Sequence, residues 1–173
     1  MSAPSGNEAA AHLLDRVSVT TGRVVSWLTL IMVITTFIIV VMRYVFDAGL
    51  IWLQESVIWM HALVFMMGAA YTLQQDDHVR VDIFYRELSV TRRAWIDIAG
   101  SMIFLLPLCA FLAYQAYDFV AVSWSMREAS RESGGLPYPL MPMLKSMVLL
   151  MPIAVALQGV ALMLRSVAII RRA

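Results

Sequence analysis

Four stretches without a charged side chain constrain this chain more than any other feature. Val24 to Met42 is 19 residues, Ser56 to Gln75 is 20, Ile98 to Tyr117 is 20 and Ser146 to Leu164 is 19. At 1.5 Å per helical residue each reaches about 28–30 Å, the thickness of a hydrocarbon core. Each is bracketed by charge: Arg23 and Arg43, Glu55 and Asp76, Asp97 and Asp118, Lys145 and Arg165. Inside lipid every backbone N–H and C=O must be satisfied within its own segment, so these stretches have to be helices. The expected fold class is all-α: an integral membrane protein with four transmembrane helices. The spans are placed at about 24–45, 51–75, 95–122 and 143–168, in a membrane domain of residues 24–170 that follows a tail of residues 1–23. Residues 1–12, rich in Ala, Ser and Gly, are expected to be loose. Pro107 and Pro152 fall inside the third and fourth runs, where they are expected to kink a helix rather than end it.

Composition agrees. The chain is 61% hydrophobic and only 14% charged, with a mean hydropathy of +0.75. A soluble domain carries about 25% charge and still exposes roughly 30% of its unfolded surface, so the excess apolar surface here must face lipid. A net charge of +1 offers no field to recruit nucleic acid. The single cysteine, Cys109, excludes an intramolecular disulfide and a thiolate metal cluster. The first run is too long for a signal-peptide core and no small-residue cleavage site follows it, so it reads as a retained span.

Basic residues orient the spans. One side of the membrane holds Arg16, Arg23, Arg80, Arg86, Arg92, Arg93, Arg165, Arg171 and Arg172; the other holds Arg43, Arg127, Arg131 and Lys145. Nine against four places both termini and the 76–95 connection in the cytoplasm. The 46–51 turn and the 119–144 connection then face outward. Trp27, Trp52, Trp95 and Trp124 lie near span ends, as aromatic belt residues do.

The connections carry further structure. The short 46–50 link makes the first two spans an antiparallel hairpin. Arg43 and Glu55 sit on the adjoining helix ends, where an ion pair between them is expected, either as a clamp within the hairpin or as a contact to a partner subunit. In the cytoplasmic connection Val81, Phe84, Tyr85 and Leu88 recur at helical spacing, so a short interfacial helix is expected between the second and third spans. Arg92 and Arg93 follow it and are candidates for lipid headgroups. In the outer connection Arg127, Glu128, Arg131 and Glu132 continue the third span, and Gly134-Gly135 with Pro137, Pro139 and Pro142 ends it and sets the entry of the fourth.

The chemistry that an enzyme would need is missing. Three histidines, His12, His61 and His78, give no paired haem ligands in the spans, one cysteine gives no redox pair, and no phosphate loop or nucleophile–base motif appears. His61 reads as a polar contact between helices rather than a proton relay. Glu55, Trp59, Ala62, Met66 and Ala69 form one stripe of the second span, and His61, Gly68 and Gln75 form another that permits close helix approach. The 13 methionines read as lipid-facing or gap-filling side chains. The chain therefore reads as the membrane partner of something else. The runner-up is a self-sufficient, homo-oligomeric four-helix transporter or channel.

Several of these residues together resemble the small permease subunit (DctQ-like) of tripartite ATP-independent periplasmic (TRAP) transporters. They are Arg43-Tyr44-Val45-Phe46, then Trp52 and Glu55, then Gly68-Ala69-Ala70, then His78-Val79-Arg80-Val81-Asp82 and Tyr85-Arg86, and finally Pro137-Tyr138-Pro139 with Lys145. The resemblance covers roughly residues 20–170. One departure is Gln54-Glu55, where members often carry two adjacent acids. The resemblance implies a subunit of the bacterial inner membrane that braces a large elevator-type permease subunit. A periplasmic substrate-binding protein would deliver the solute, commonly an organic acid. It implies that a sodium gradient drives uptake without sodium or any cofactor bound by this subunit. Arg43, Trp52, Glu55, His61, His78 and Asp82 are candidates for structural or subunit-interface roles.

Overall fold

The computed structural model describes residues 6–75 and 88–172. The interfacial helix expected in the cytoplasmic connection, with His78 and Asp82, lies outside the described residues. Among the described residues all regular secondary structure is helical, with four helices long and apolar enough to cross a membrane. Helix α1 runs Gly6–Val45, α2 Ile51–Gln74, α3 Val90–Gly100, α4 Leu106–Ser125 and α5 Leu140–Arg172, and a π-helical turn, Ser101–Leu105, joins α3 to α4 into one continuous span.

Two boundaries differ from the sequence expectation. The loose tail expected over residues 1–12 is helical from Gly6, because nothing breaks the chain between that residue and the first span. The third span begins at Val90, ahead of the apolar run. Ser89 caps it: its hydroxyl accepts the Arg92 N–H at 3.4 Å, which lets the helix start among polar residues. Pro107 then follows the π-helical turn, in which the Leu106 N–H reaches back five residues to the Ser101 carbonyl. A proline has no N–H to return and crowds the carbonyl four residues before it, so a widened turn just ahead of it relieves the helix.

The bundle is organised around α5. Helix α1 packs on α2 and α5, α2 also packs on α5, and α3 and α4 both pack on α5, so the hairpin and the third span meet chiefly through the fourth. The side chains buried most completely belong mainly to α5: Ala161, Gln158, Ser166, Pro142 and Pro152. Small residues let backbones approach, which is how helices gain contact in lipid, where apolar burial itself contributes little. Gly22 of α1 sits directly against the Tyr71 ring of α2, and a Cβ there would overlap the ring. Gly22→Val should therefore force the α1–α2 pair apart at a cost of about 1–3 kcal/mol. Thermal unfolding of the purified protein checks this, with Tyr71→Ala in the same chain expected to restore part of the loss. Gly68, in contrast, has open space where a Cβ would go.

Polar side chains within the spans mostly satisfy themselves. Thr35 donates to the Ile31 carbonyl, Thr36 to Met32, Thr72 to Gly68 and Ser146 to Pro142, all at 2.8–2.9 Å. Such i to i−4 bonds hide a hydroxyl from lipid without needing a neighbour. Trp27, Trp52, Trp95 and Trp124 are exposed at the span ends, where an indole can face both lipid and water.

Candidate functional site

The polar chemistry collects in two clusters, one at each end of the bundle. The outer cluster is built on Glu55, in the second turn of α2. Its two carboxylate oxygens are taken by the outer connection: Ser130 donates its hydroxyl to Oε1, and the Leu136 backbone N–H donates to Oε2 at 2.6 Å. Ser130 also receives the Glu132 N–H at 3.1 Å, and its own N–H bonds the Leu136 carbonyl at 3.0 Å. The connection thus folds over the carboxylate. Gly135 is required at its place, because a Cβ would overlap the Ser130 side chain.

The ion pair expected between Arg43 and Glu55 does not form. The Leu136 N–H and the Ser130 hydroxyl take up the carboxylate oxygens, whereas Arg43, at the exposed end of α1, can be hydrated. Glu55 is a clamp, but it grips the 126–139 connection rather than the hairpin.

Beside it stands a second tether. Helix α4 ends in a left-handed turn at Arg127, with φ of 48°, whose N–H reaches the Trp124 carbonyl while the Glu128 N–H reaches Ser123. This is the glycine-type helix stop made by an arginine. It turns Glu128 back over the helix end. Lys145 of α5 donates to Glu128 at 2.6 Å, Ser123 donates to the same oxygen at 2.7 Å, and the Lys145 ammonium lies 4.4 Å from the Phe119 ring centre. Two indoles complete the layer: Trp124 donates to Ser146 at 3.0 Å and Trp59 to the Leu140 carbonyl at 3.2 Å.

The bond from Lys145, and then that from Ser123, hold the Glu128 carboxyl below its ordinary range. A carboxylate with a depressed folded-state pKa contributes stability above its ordinary range, and that stability fades as pH falls through it. Acidification below about pH 4 should loosen the outer connection, read from Trp124 fluorescence, and Glu128→Gln should remove that component.

The inner cluster joins the N-terminal part of α1 to α5. The Asp15 carboxylate receives the Gln158 amide at 2.9 Å and both its oxygens receive Arg165 at 3.1 Å. Gln158 is fully buried. This contact ties the N-terminal part of α1 to the C-terminal half of α5 at one end of the bundle, while Glu55 of α2 holds the 126–139 connection at the other.

The remaining sequence candidates fall apart from both clusters. His61 is exposed on α2 with its ring stacked over Phe65, centres 6.4 Å apart, rather than between helices of this chain. Trp52 and Arg92 are exposed, and Arg93 donates to the Leu88 carbonyl at 3.0 Å. Sequence reasoning missed Asp15, Gln158, Arg165, Ser130 and the Glu128–Lys145 pair. Gln158, a lone amide in an otherwise apolar run, was the available signal for the inner cluster. Among the described residues no group of three His, Cys, Asp or Glu side chains could hold a metal ion.

A four-helix bundle of this length and apolarity defines a multi-pass membrane protein. Its sequence matches the family model for the DctQ component of tripartite ATP-independent periplasmic transporters over residues 32–172, and the chain belongs to that family. Comparison with curated proteins gave no match, and comparison with solved structures gave none either. The family is a transporter component and not an enzyme, and it works with a large membrane permease and a periplasmic binding protein. With four apolar helices, membership makes this chain a multi-pass protein of the inner membrane.

Proposed function

We propose that this chain is the small membrane subunit that braces the large elevator-type permease of a TRAP transporter. In this reading the complex takes up a solute, an organic acid by class, delivered by the binding protein and driven by a sodium gradient. The observation that carries it is the family match across residues 32–172, together with the use of the clustered charges as internal ties. A brace has to be stiff at both membrane surfaces, and the two clusters supply stiffness there. Neither leaves a group free to coordinate a solute in the described spans.

The test is reconstitution. Liposomes containing both membrane subunits and the binding protein should accumulate solute when a sodium gradient is imposed, and omission of this chain should abolish uptake. Uptake by this chain alone would replace the reading with a homo-oligomeric transporter.

The orientation belongs to the same proposal. With the nine-to-four bias of basic residues read from the sequence as its support, this reading has Asp15 and Arg165 at the cytoplasmic surface and Glu55 with Glu128 at the periplasmic one. A reporter fused after residue 173 should read cytoplasm, and one inserted at Gly134 should read periplasm.

A further inference from the structure

The face of α1 that turns away from the bundle changes character along its length. Arg16, Thr20, Arg23 and Trp27 fall at i, i+4, i+7 and i+11, one stripe of a helix, and all four are exposed. The stripe continues outward as Leu30, Ile34 and Ile38, also exposed. It is thus two guanidiniums with a hydroxyl between them, then an indole, then three aliphatic side chains. Neither guanidinium meets an acid among the described residues. Asp15, the chain neighbour of Arg16, is held by Gln158 and Arg165 on the side of α5.

Contacts with neighbouring helices set the level of the two arginines. Gly22 lies against the Tyr71 ring, in the last turn of α2, which ends at Gln74. Arg23 therefore stands about one turn inside the end of α2. Arg16, seven residues before it, lies about 10 Å further toward the inner end, beside the Asp15–Arg165 pair. The two bracket the level at which the apolar runs give way to charge, Arg23 from the hydrocarbon side and Arg16 from the water side. A guanidinium in hydrocarbon is costly, and its long stem lets the head swing to the nearest polar level. In a bilayer that level is the layer of lipid phosphates, and a phosphate takes two parallel N–H bonds from a guanidinium fork.

We infer that Arg16, Thr20 and Arg23 of α1 form a binding site for the phosphate of an anionic phospholipid. Trp27 then lies at the boundary of the hydrocarbon, and the acyl chains run along Leu30, Ile34 and Ile38. Charge selects the occupant. A zwitterionic lipid brings its own ammonium to the phosphate and leaves both guanidiniums in surplus, whereas a headgroup of net negative charge compensates them. The site is separate from Arg92 and Arg93, which belong to α3.

The test uses the full-length chain in nanodiscs of phosphatidylcholine into which phosphatidylglycerol is titrated, with retained lipid counted by native mass spectrometry. Phosphatidylglycerol should be retained in preference. Arg16→Gln and Arg23→Gln should each weaken its retention about fivefold and the pair about thirtyfold. Arg131→Gln, at an exposed arginine of the 126–139 connection, should leave it unchanged. Arg16→Lys with Arg23→Lys keeps both charges and should keep most of the preference, which separates a lost headgroup contact from a lost fold. A photoreactive residue at Thr20, in membranes that also hold the large subunit, should give adducts with phospholipid. Equal retention of the two lipids by the unmodified chain would overturn the inference. So would a Lys pair no better than the Gln pair, or an Arg131→Gln effect as large as that of the double variant. Adducts from position 20 with the large subunit, or with a second copy of this chain, would overturn it as well.

Discussion

Glu55→Ala should release the 126–139 connection and lower the stability of the subunit by about 2–3 kcal/mol, the largest effect expected of any single substitution at that end of the bundle. The carboxylate is partly buried and is the acceptor for both the Ser130 hydroxyl and the Leu136 N–H. Its loss leaves the backbone N–H without that acceptor in a place where water replaces it poorly. The melting temperature in detergent should fall by roughly 5–10 °C, and protease sites between residues 126 and 139 should open. A double-mutant cycle gives the sharper result. Glu55→Ala and Ser130→Ala should be coupled by more than about 0.5 kcal/mol, whereas Glu55→Ala and Arg43→Ala should add. Coupling to Arg43 instead would restore the hairpin clamp that the sequence invites.

At the other end, Asp15→Ala should be nearly as damaging, at about 2–4 kcal/mol. It strips the fully buried Gln158 amide and the Arg165 guanidinium of the carboxylate they share. Asp15→Asn keeps an acceptor for Gln158 but removes the charge that Arg165 faces, so it should cost about half as much. Unfolding followed by far-ultraviolet circular dichroism, with co-purification of the large subunit as the second readout, separates the two variants. Equal losses for both would mean that the charge alone matters and that the bond from Gln158 contributes nothing.

Residues that answer to hydropathy were legible in the sequence, and residues that answer to tertiary contact were not. The four spans follow from runs of 19–20 uncharged residues, since the bilayer sets both their length and their helical state. The short 46–50 link fixed the hairpin in the same way. Glu55 could be singled out because a carboxylate at a span end is conspicuous. Its partner could not, because Leu136 contributes a backbone N–H that no side-chain pattern encodes. Lys145 and Glu128 are 17 residues apart across a turn whose stop is an arginine in a left-handed conformation, a place where sequence reading looks for glycine. Asp15 lay in what read as a loose tail, so its reach to Gln158 had no antecedent. Family resemblance was legible because it rests on the order of several weak matches, each compatible with the topology, and the family model covers most of the same stretch.

The position of α5 as the common neighbour of every other helix also fixes an order of events. Helix α5 is the last to be synthesised, and before it appears α1 and α2 have each other while α3 and α4 have no partner helix to pack against. At about 5–20 residues per second, making the 33 residues of α5 leaves a window of seconds in which three spans wait in the membrane. During that window the third span is open to mispairing or to quality-control proteases. A nascent chain stalled at residue 139 should therefore be degraded rather than stored, because only its α1–α2 hairpin is already paired.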